Sequence, residues 1–202
     1  VVEVEHVPVA QRGEPRELRR SQAERRRRVV EAAMALGAEG GYDAVQMRDV
    51  AARADVALGT VYRYFDSKDH LLAAALVHWM GTLGDSLART PPASGGGSPA
   101  ERVAALLGRA TTTMSRQPKL VAALLAPLSS SDPGVVECQE QVAAMMDDLI
   151  RRAAGDEAPG DIGDRARMLG HVWYSTLLGW VNGWTNVGKV HDEVAIACRL
   201  LL

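Results

Sequence analysis

The chain has 202 residues, 47% of them apolar and 24% charged, with a formal net charge of −2. That balance belongs to a water-soluble globular protein with a sizeable core, and the near-neutral total gives no general attraction to nucleic acid. No apolar run approaches the ~20 residues of a membrane span and the amino end lacks the order of a signal peptide, so a cytoplasmic protein with no membrane partner is expected.

Only Cys138 and Cys198 are present, far apart, which is neither a disulfide framework nor zinc-site spacing; both read as buried apolar residues. Aromatics make up 4% of the chain, whereas Ala, Leu, Val, Arg and Met abound, a mixture that favours helices. Charge is uneven along the chain. Residues 12–28 hold eight arginines against three glutamates, a phosphate-seeking segment. Residues 1–20, with Pro8, Gly13 and Pro15, are expected to form a flexible basic arm.

Order is expected from Ser21, where "SQAE" has the spacing of a capping box and opens a helix to about Glu39. Gly40 and Gly41 end it, since a left-handed C-terminal residue is least strained as glycine. Short helices follow at 47–54 and 58–64, and a long one starts near Ser67. Three helices of this size make a helix-turn-helix domain over 21–66, with a core of Val29, Ala33, Tyr42, Val45, Val50, Val56, Val61 and Phe65. Residues 67–202 form the second domain. "TPPASGGGSP" at 90–99 is a connector, and periodic stretches at 100–116, 118–127, 134–154, 162–186 and 189–202 read as an all-helical bundle.

In "LGTVYRYF", residues 58–65, Val61 and Phe65 face inward, with Leu58 at the edge. This leaves Gly59, Thr60, Tyr62, Arg63 and Tyr64 at the surface. A glycine admits a close partner, Thr60 offers a hydroxyl and a methyl, Arg63 can bind guanine at two points, and the tyrosines can donate to phosphates. Lys68 and Arg48 start the flanking helices, and Arg25 and Arg26 of the basic run join the same surface. A double-stranded DNA operator is the expected partner.

"GGYDAVQMRDVAARADVALGTVYRYFDSKDHLL", residues 40–72, resembles the DNA-binding domain of the TetR family of bacterial transcriptional regulators. The resemblance implies an all-α homodimer of nine or ten helices per chain. Its third helix enters the major groove, and the larger bundle dimerises and binds a small effector. Two departures stand out: Gln46 and Ala57 hold places where the family has Ser or Thr as N-caps, and Leu58 stands where Lys is frequent. "SRQPKLVAALL" and "VWYSTLLGWVNG" add a narrower similarity to actinobacterial repressors of steroid catabolism, a branch controlled by a steroid acyl-CoA thioester.

Trp79, Met80, Leu83, Leu87, Met114, Leu124, Met145, Met146, Leu149, Trp173 and Leu177 supply adaptable apolar bulk suited to a large apolar effector. Trp173, Trp180 and Trp184 are spaced along one helical stripe beside Gly183, and with Leu200 of the last helix they are expected to form a two-fold seam. His78 and His171 read as partly buried residues, and neither a metal nor a cofactor is expected. The function expected from the residues together with the resemblance is a repressor released from a pseudo-palindromic operator by a small apolar effector, which the resemblance implies is a steroid or acyl-CoA thioester. An activator of the same fold, a non-specific DNA-binding protein and a helical enzyme acting on a lipid remain the alternatives.

Overall fold

A computed structural model describes residues 15–89 and 97–202. Among these residues there are nine α-helices, two short 3-10 turns and no strand. The helices are α1 (Pro15–Gly40), α2 (Met47–Arg53), α3 (Leu58–Tyr64), α4 (Lys68–Arg89), α5 (Pro99–Met114), α6 (Pro118–Leu125), α7 (Pro133–Ala154), α8 (Ile162–Val181) and α9 (Val187–Leu201). The all-α reading therefore holds. Residues 1–14 of the basic arm and 90–96 of the connector lie outside the described residues.

The first helix starts earlier than Ser21. Ser21 is an interior residue whose hydroxyl accepts from Arg25 Nη2 at 2.9 Å, so the "SQAE" capping box does not form. The same signature in "SPAE" does form, at the start of α5: Ser98 Oγ accepts from the Glu101 amide at 3.3 Å and Glu101 Oε2 accepts from the Ser98 amide at 2.8 Å. At the other end of α1, Gly41 takes φ 75° and its amide bonds to Gly37 O at 2.8 Å, ending the helix as expected.

Val29, Ala33, Val45, Val50, Val61 and Phe65 are fully buried between α1, α2 and α3, while Tyr42 and Val56 pack at the edge of this core. The opposite side of α1 lies on α6. A Cβ on Gly37 would sit 3.3 Å from Ala123 Cβ, and Lys119 Nζ donates to Glu39 O at 3.0 Å.

Helix α4 is the centre of the molecule. Leu71 to Leu76 are six consecutive buried residues, so the helix is enclosed on all sides where it leaves the small unit. It packs on α1, α5, α6 and α7, and the layer is completed by α5 on α9, α7 on α8 and α8 on α9. By length and composition alone α4 could cross a membrane, yet more than half of its most apolar window is buried inside the fold. That burial accounts for its hydropathy.

Helix α8 stops five residues before the expected end at 186. Asn182 Nδ2 donates to Leu178 O at 2.8 Å, Gly183 takes φ 75°, and the Trp184 amide turns back to Gly179 O at 2.9 Å. A left-handed glycine and a side chain that caps carbonyls are stop signals that outweigh the apolar periodicity on either side.

Candidate DNA-binding surface and effector cavity

The turn between α2 and α3 is set by Asp55, the one non-glycine residue with positive φ (52°) among the described residues, and by Val56 N bonding to Ala51 O at 3.1 Å. Aspartate tolerates the left-handed region better than most residues, which lets this turn close without glycine. Neither Gln46 nor Ala57 makes a side-chain cap, so the amides at the start of α3 keep no side-chain acceptor from its N-cap. Gln46 Nε2 instead donates to Asp43 O at 2.9 Å.

Burial of Val61 and Phe65 fixes which face of α3 points outward. Gly59, Tyr62 and Arg63 are exposed, Leu58 and Thr60 half-buried, and a Cβ on Gly59 would meet nothing within 4 Å. Tyr64 is half-buried and its hydroxyl donates to Gln22 O of α1 at 3.4 Å, with the Arg63 guanidinium 5.4 Å from its ring centroid. Arg48 is exposed on α2 and Arg25 on α1.

Two of the cations expected at the DNA surface are positioned by contacts within the chain. Lys68 Nζ lies 3.6 Å from the Tyr42 ring centroid and donates to Tyr42 O at 3.3 Å. Tyr42 in turn donates to Asp69 Oδ1 at 2.6 Å, and burial, reinforced by the Asp69 carboxylate, pushes its hydroxyl up to about 12. Lys68 is thus a positioned cation, stacked on an aromatic face. Arg26 lies over Phe65, 5.1 Å from the ring centroid.

A cavity of about 460 Å³ opens between α4, α5 and α7. Met80, Leu87, Leu106, Met145 and Leu149 give it an apolar lining, and Arg102, Arg109, Arg152, Asp85 and Asp148 are its charged residues. Gly81 and Gly84 of α4 line it without a side chain, which leaves room there. A Cβ on Gly81 would reach Met145 Cε at 3.5 Å, and one on Gly84 would meet nothing within 4 Å. Arg109 Nη2 donates to Leu87 O at 3.1 Å, and Arg152 Nε donates to Asp148 Oδ1 at 2.9 Å. Arg102 binds the last carbonyls of α7, Ala153 O at 3.2 Å and Ala154 O, so it serves chiefly to hold α5 against the end of that helix. A second, wider groove of about 930 Å³ lies between α7 and α8, lined in part by Val142, Met146, Ala166, His171 and Tyr174.

Residues 29–75 match the family profile described as bacterial regulatory proteins, tetR family, and residues 96–201 match the tetracyclin repressor-like C-terminal domain. The chain belongs to the TetR family. It is 40% identical to the HTH-type transcriptional repressor KstR of Rhodococcus jostii strain RHA1, over 90% of this chain and 84% of that protein. The crystal structure of a TetR transcriptional regulator from Rhodococcus sp. RHA1 superposes with a TM-score of 0.81 at 32% identity, covering 90% of this chain and 97% of that one. The fold is also that of Thermus thermophilus FadR solved with lauroyl-CoA, with a TM-score of 0.68 at 20% identity over 87% of this chain and 92% of the other. The resemblance read from residues 40–72 therefore extends over almost the whole chain.

Within this TetR-family frame several expected site residues are redistributed. Met80, Leu87, Met145 and Leu149 line the α4–α5–α7 cavity, and Met146 lines the α7–α8 groove. Leu83 is buried between Met80 and Leu87 on α4, while Trp79, Met114, Leu124, Trp173 and Leu177 are buried in the packed core and line neither space. Gly81, Gly84, Leu106, Arg109 and Arg152 also line the α4–α5–α7 cavity and are not among the residues expected from sequence. Their signal was the pair of glycines three apart in an apolar helix, which marks missing volume rather than close packing.

The tryptophan stripe is corrected. Trp173 is buried, 4% exposed, with its indole bonded inside the chain, and Trp184 lies beyond the end of α8 at 80% exposure after the Gly183 turn. Trp180 is half-buried. Exposed large apolar residues of this part of the chain are Met168 on α8, Trp184 just beyond it, and Ile196 and Leu200 on α9.

Proposed function

We propose that this chain is a transcriptional repressor of the KstR type. It binds a pseudo-palindromic operator as a homodimer through paired α3 helices and is released by an apolar effector of the acyl-CoA thioester class bound between α4, α5 and α7. The observation that carries the reading is the course of α4. It starts at Lys68, shortly after α3 ends at Tyr64, and reaches the cavity wall at Met80, Gly84 and Leu87.

A ligand that spreads α4 from α7 at the cavity therefore acts on a rigid rod whose other end supports the recognition helix. Release follows from the ligand's preference for one of two α4 positions, and DNA affinity falls by that preference. The cavity volume lies within the roughly 300–1,000 Å³ of small-molecule sites. Its apolar lining suits an acyl or steroid moiety. Arg109 and Arg152, paired with a carbonyl and an exposed carboxylate, suit a negatively charged head. The lauroyl-CoA held by the Thermus relative of the same fold supports this class.

On the DNA side, Arg63 reads a guanine edge, Thr60 and Leu58 touch thymine methyls, and Tyr62, Arg48, Lys68 and Arg25 engage phosphates. The dimer is formed by the apolar face of α8 and α9 with Met168, Ile196 and Leu200, joined by Trp184; burying these residues against a second copy removes a patch that water disfavours. Footprinting on the gene's own upstream DNA tests the reading. Protection of two half-sites whose centres are about one helical turn or slightly more apart, ~34–36 Å, is expected. Uniform protection without half-sites contradicts it.

A further inference from the structure

One hydrogen-bonded pair joins the start of α4 to the start of α7, at the end of α4 that follows the helix-turn-helix unit. Ser67 precedes α4 and its Oγ accepts from the His70 amide at 3.0 Å, which makes it the cap of that helix. The same hydroxyl donates to Asp132 Oδ2 at 2.6 Å. Asp132 is the N-cap of α7: its Oδ1 accepts from the Gly134 amide at 2.8 Å. Two helix starts, 65 residues apart in sequence, thus share one capping pair, with the carboxylate placed where both helix dipoles favour negative charge. The Ser67 hydrogen bond, followed by the Gly134 amide, holds the Asp132 carboxyl below its ordinary range.

The contact beside this pair leaves no room for slack. A Cβ on Gly134 would fall 2.6–2.8 Å from three atoms of the His70 ring. That ring stands edge-on to Phe65, 5.4 Å between centroids, and Phe65 closes the recognition helix. From Asp132, α7 runs on to the cavity at Met145 and Leu149, while α4 runs from Ser67 to the same cavity at Met80 and Leu87. Two of the three helices that wall the cavity, α4 and α7, are therefore pinned together at their opposite, DNA-side ends.

We propose that the Ser67–Asp132 pair is the pivot of the regulator: Asp132 is a positioning residue that fixes α4, and through Phe65 and His70 the recognition helix, relative to α7. This rests on the proposed function for its consequence in DNA binding but not for the joint itself. Spreading at the cavity swings α4 about this point instead of sliding it, and without the pair the start of α4 loses its hydrogen-bonded tie to α7.

Amide hydrogen exchange on the full chain tests the joint without DNA or effector. Ser67→Ala and Asp132→Ala are compared with the double variant and with the conservative Ser67→Thr. A shared joint predicts reciprocity. Asp132→Ala speeds exchange at His70 and Leu71 by about tenfold, and Ser67→Ala does the same at Gly134 to Val136, as loss of a charge-assisted bond implies. The double variant is no worse than either single, and Ser67→Thr restores protection. Two independent caps would each open only their own helix, with effects that add in the double variant, and that result overturns the proposal.

Anisotropy with the upstream duplex then reads the consequence. Both alanine variants are expected to bind about tenfold more weakly than the wild type, with Ser67→Thr near wild type. Reciprocal exchange with unchanged DNA affinity overturns the positioning role. Failure of the wild type itself to prefer this duplex counts instead against the operator reading, and the exchange result stands apart from it.

Discussion

The indole Nε1 of Trp173 donates to Thr111 Oγ1 at 2.9 Å, joining α8 to α5 across the buried core of the larger unit. Thr111 in turn donates to Leu107 O at 2.9 Å, and both side chains are out of contact with water. A tryptophan that reads from sequence as interface is here a polar anchor of the monomer. Replacing Thr111→Val keeps the shape and strands the indole N–H, at a cost of about 1–3 kcal/mol. Urea unfolding should show a lower midpoint with an unchanged slope, and Trp173→Phe in the Thr111→Val background should cost less than in the wild type.

Arg63→Ala is expected to relax sequence preference and weaken operator binding by roughly 1–3 kcal/mol, and Arg63→Lys should not restore it, because a lysine lacks the two-point fork. Lys68→Ala should weaken operator and scrambled duplexes alike and reduce the salt slope by about one. Binding curves at several salt concentrations separate the two behaviours.

A Cβ on Gly84 would meet nothing within 4 Å, so a phenylalanine there fills the proposed effector site without meeting a neighbour at its Cβ. Gly84→Phe should leave the thermal midpoint and DNA affinity close to wild type while abolishing release by acyl-CoA. Calorimetry with the same ligands checks that the loss lies in binding.

Ile196 and Leu200 are 44% and 79% exposed one turn apart on α9. Changing both to glutamate places like charges on each side of the proposed two-fold. Sedimentation should then report a monomer with intact helicity, and half-site DNA should be bound as well as the full operator.

Burial pushes the Cys198 thiol up to about 11 and also raises Cys138. For an acid whose folded value is raised, the neutral form is favoured in the fold. This contribution is complete below the ordinary thiol range near 9.0 and is lost as pH rises towards 11. Neither thiol should react with a thiol-specific chromogen at neutral pH until denaturant is added, and both should react promptly afterwards.

Much of the small unit was legible because its signals are local. The alternation of Val50, Val61 and Phe65 with exposed Arg and Tyr, and the glycine stop after α1, each act within one or two turns. The larger unit was harder to read. Trp173 and Trp184 share a periodic spacing, but a two-residue stop at Asn182–Gly183 and a hydroxyl on a helix 62 residues away decide where each goes. The capping box shows the same limit: "SQAE" and "SPAE" are equal as patterns, and the structure uses only the second, where Pro99 stands at the first helical position and Gly97 holds a non-helical φ of 120°. The cavity was hardest to see, since it is made by what Gly81 and Gly84 lack.

The central claim, that an effector between α4 and α7 releases sequence-specific DNA binding, is tested most directly by anisotropy of the gene's upstream duplex and a scrambled duplex at one fixed salt concentration. The protein and its Gly84→Phe variant are each titrated with acyl-CoA thioesters of graded length and a steroid acyl-CoA. The account predicts preferential binding to the upstream duplex by both proteins, and release by at least one thioester from the wild type alone. Equal, weak binding to both duplexes, or release that persists in Gly84→Phe, would contradict it.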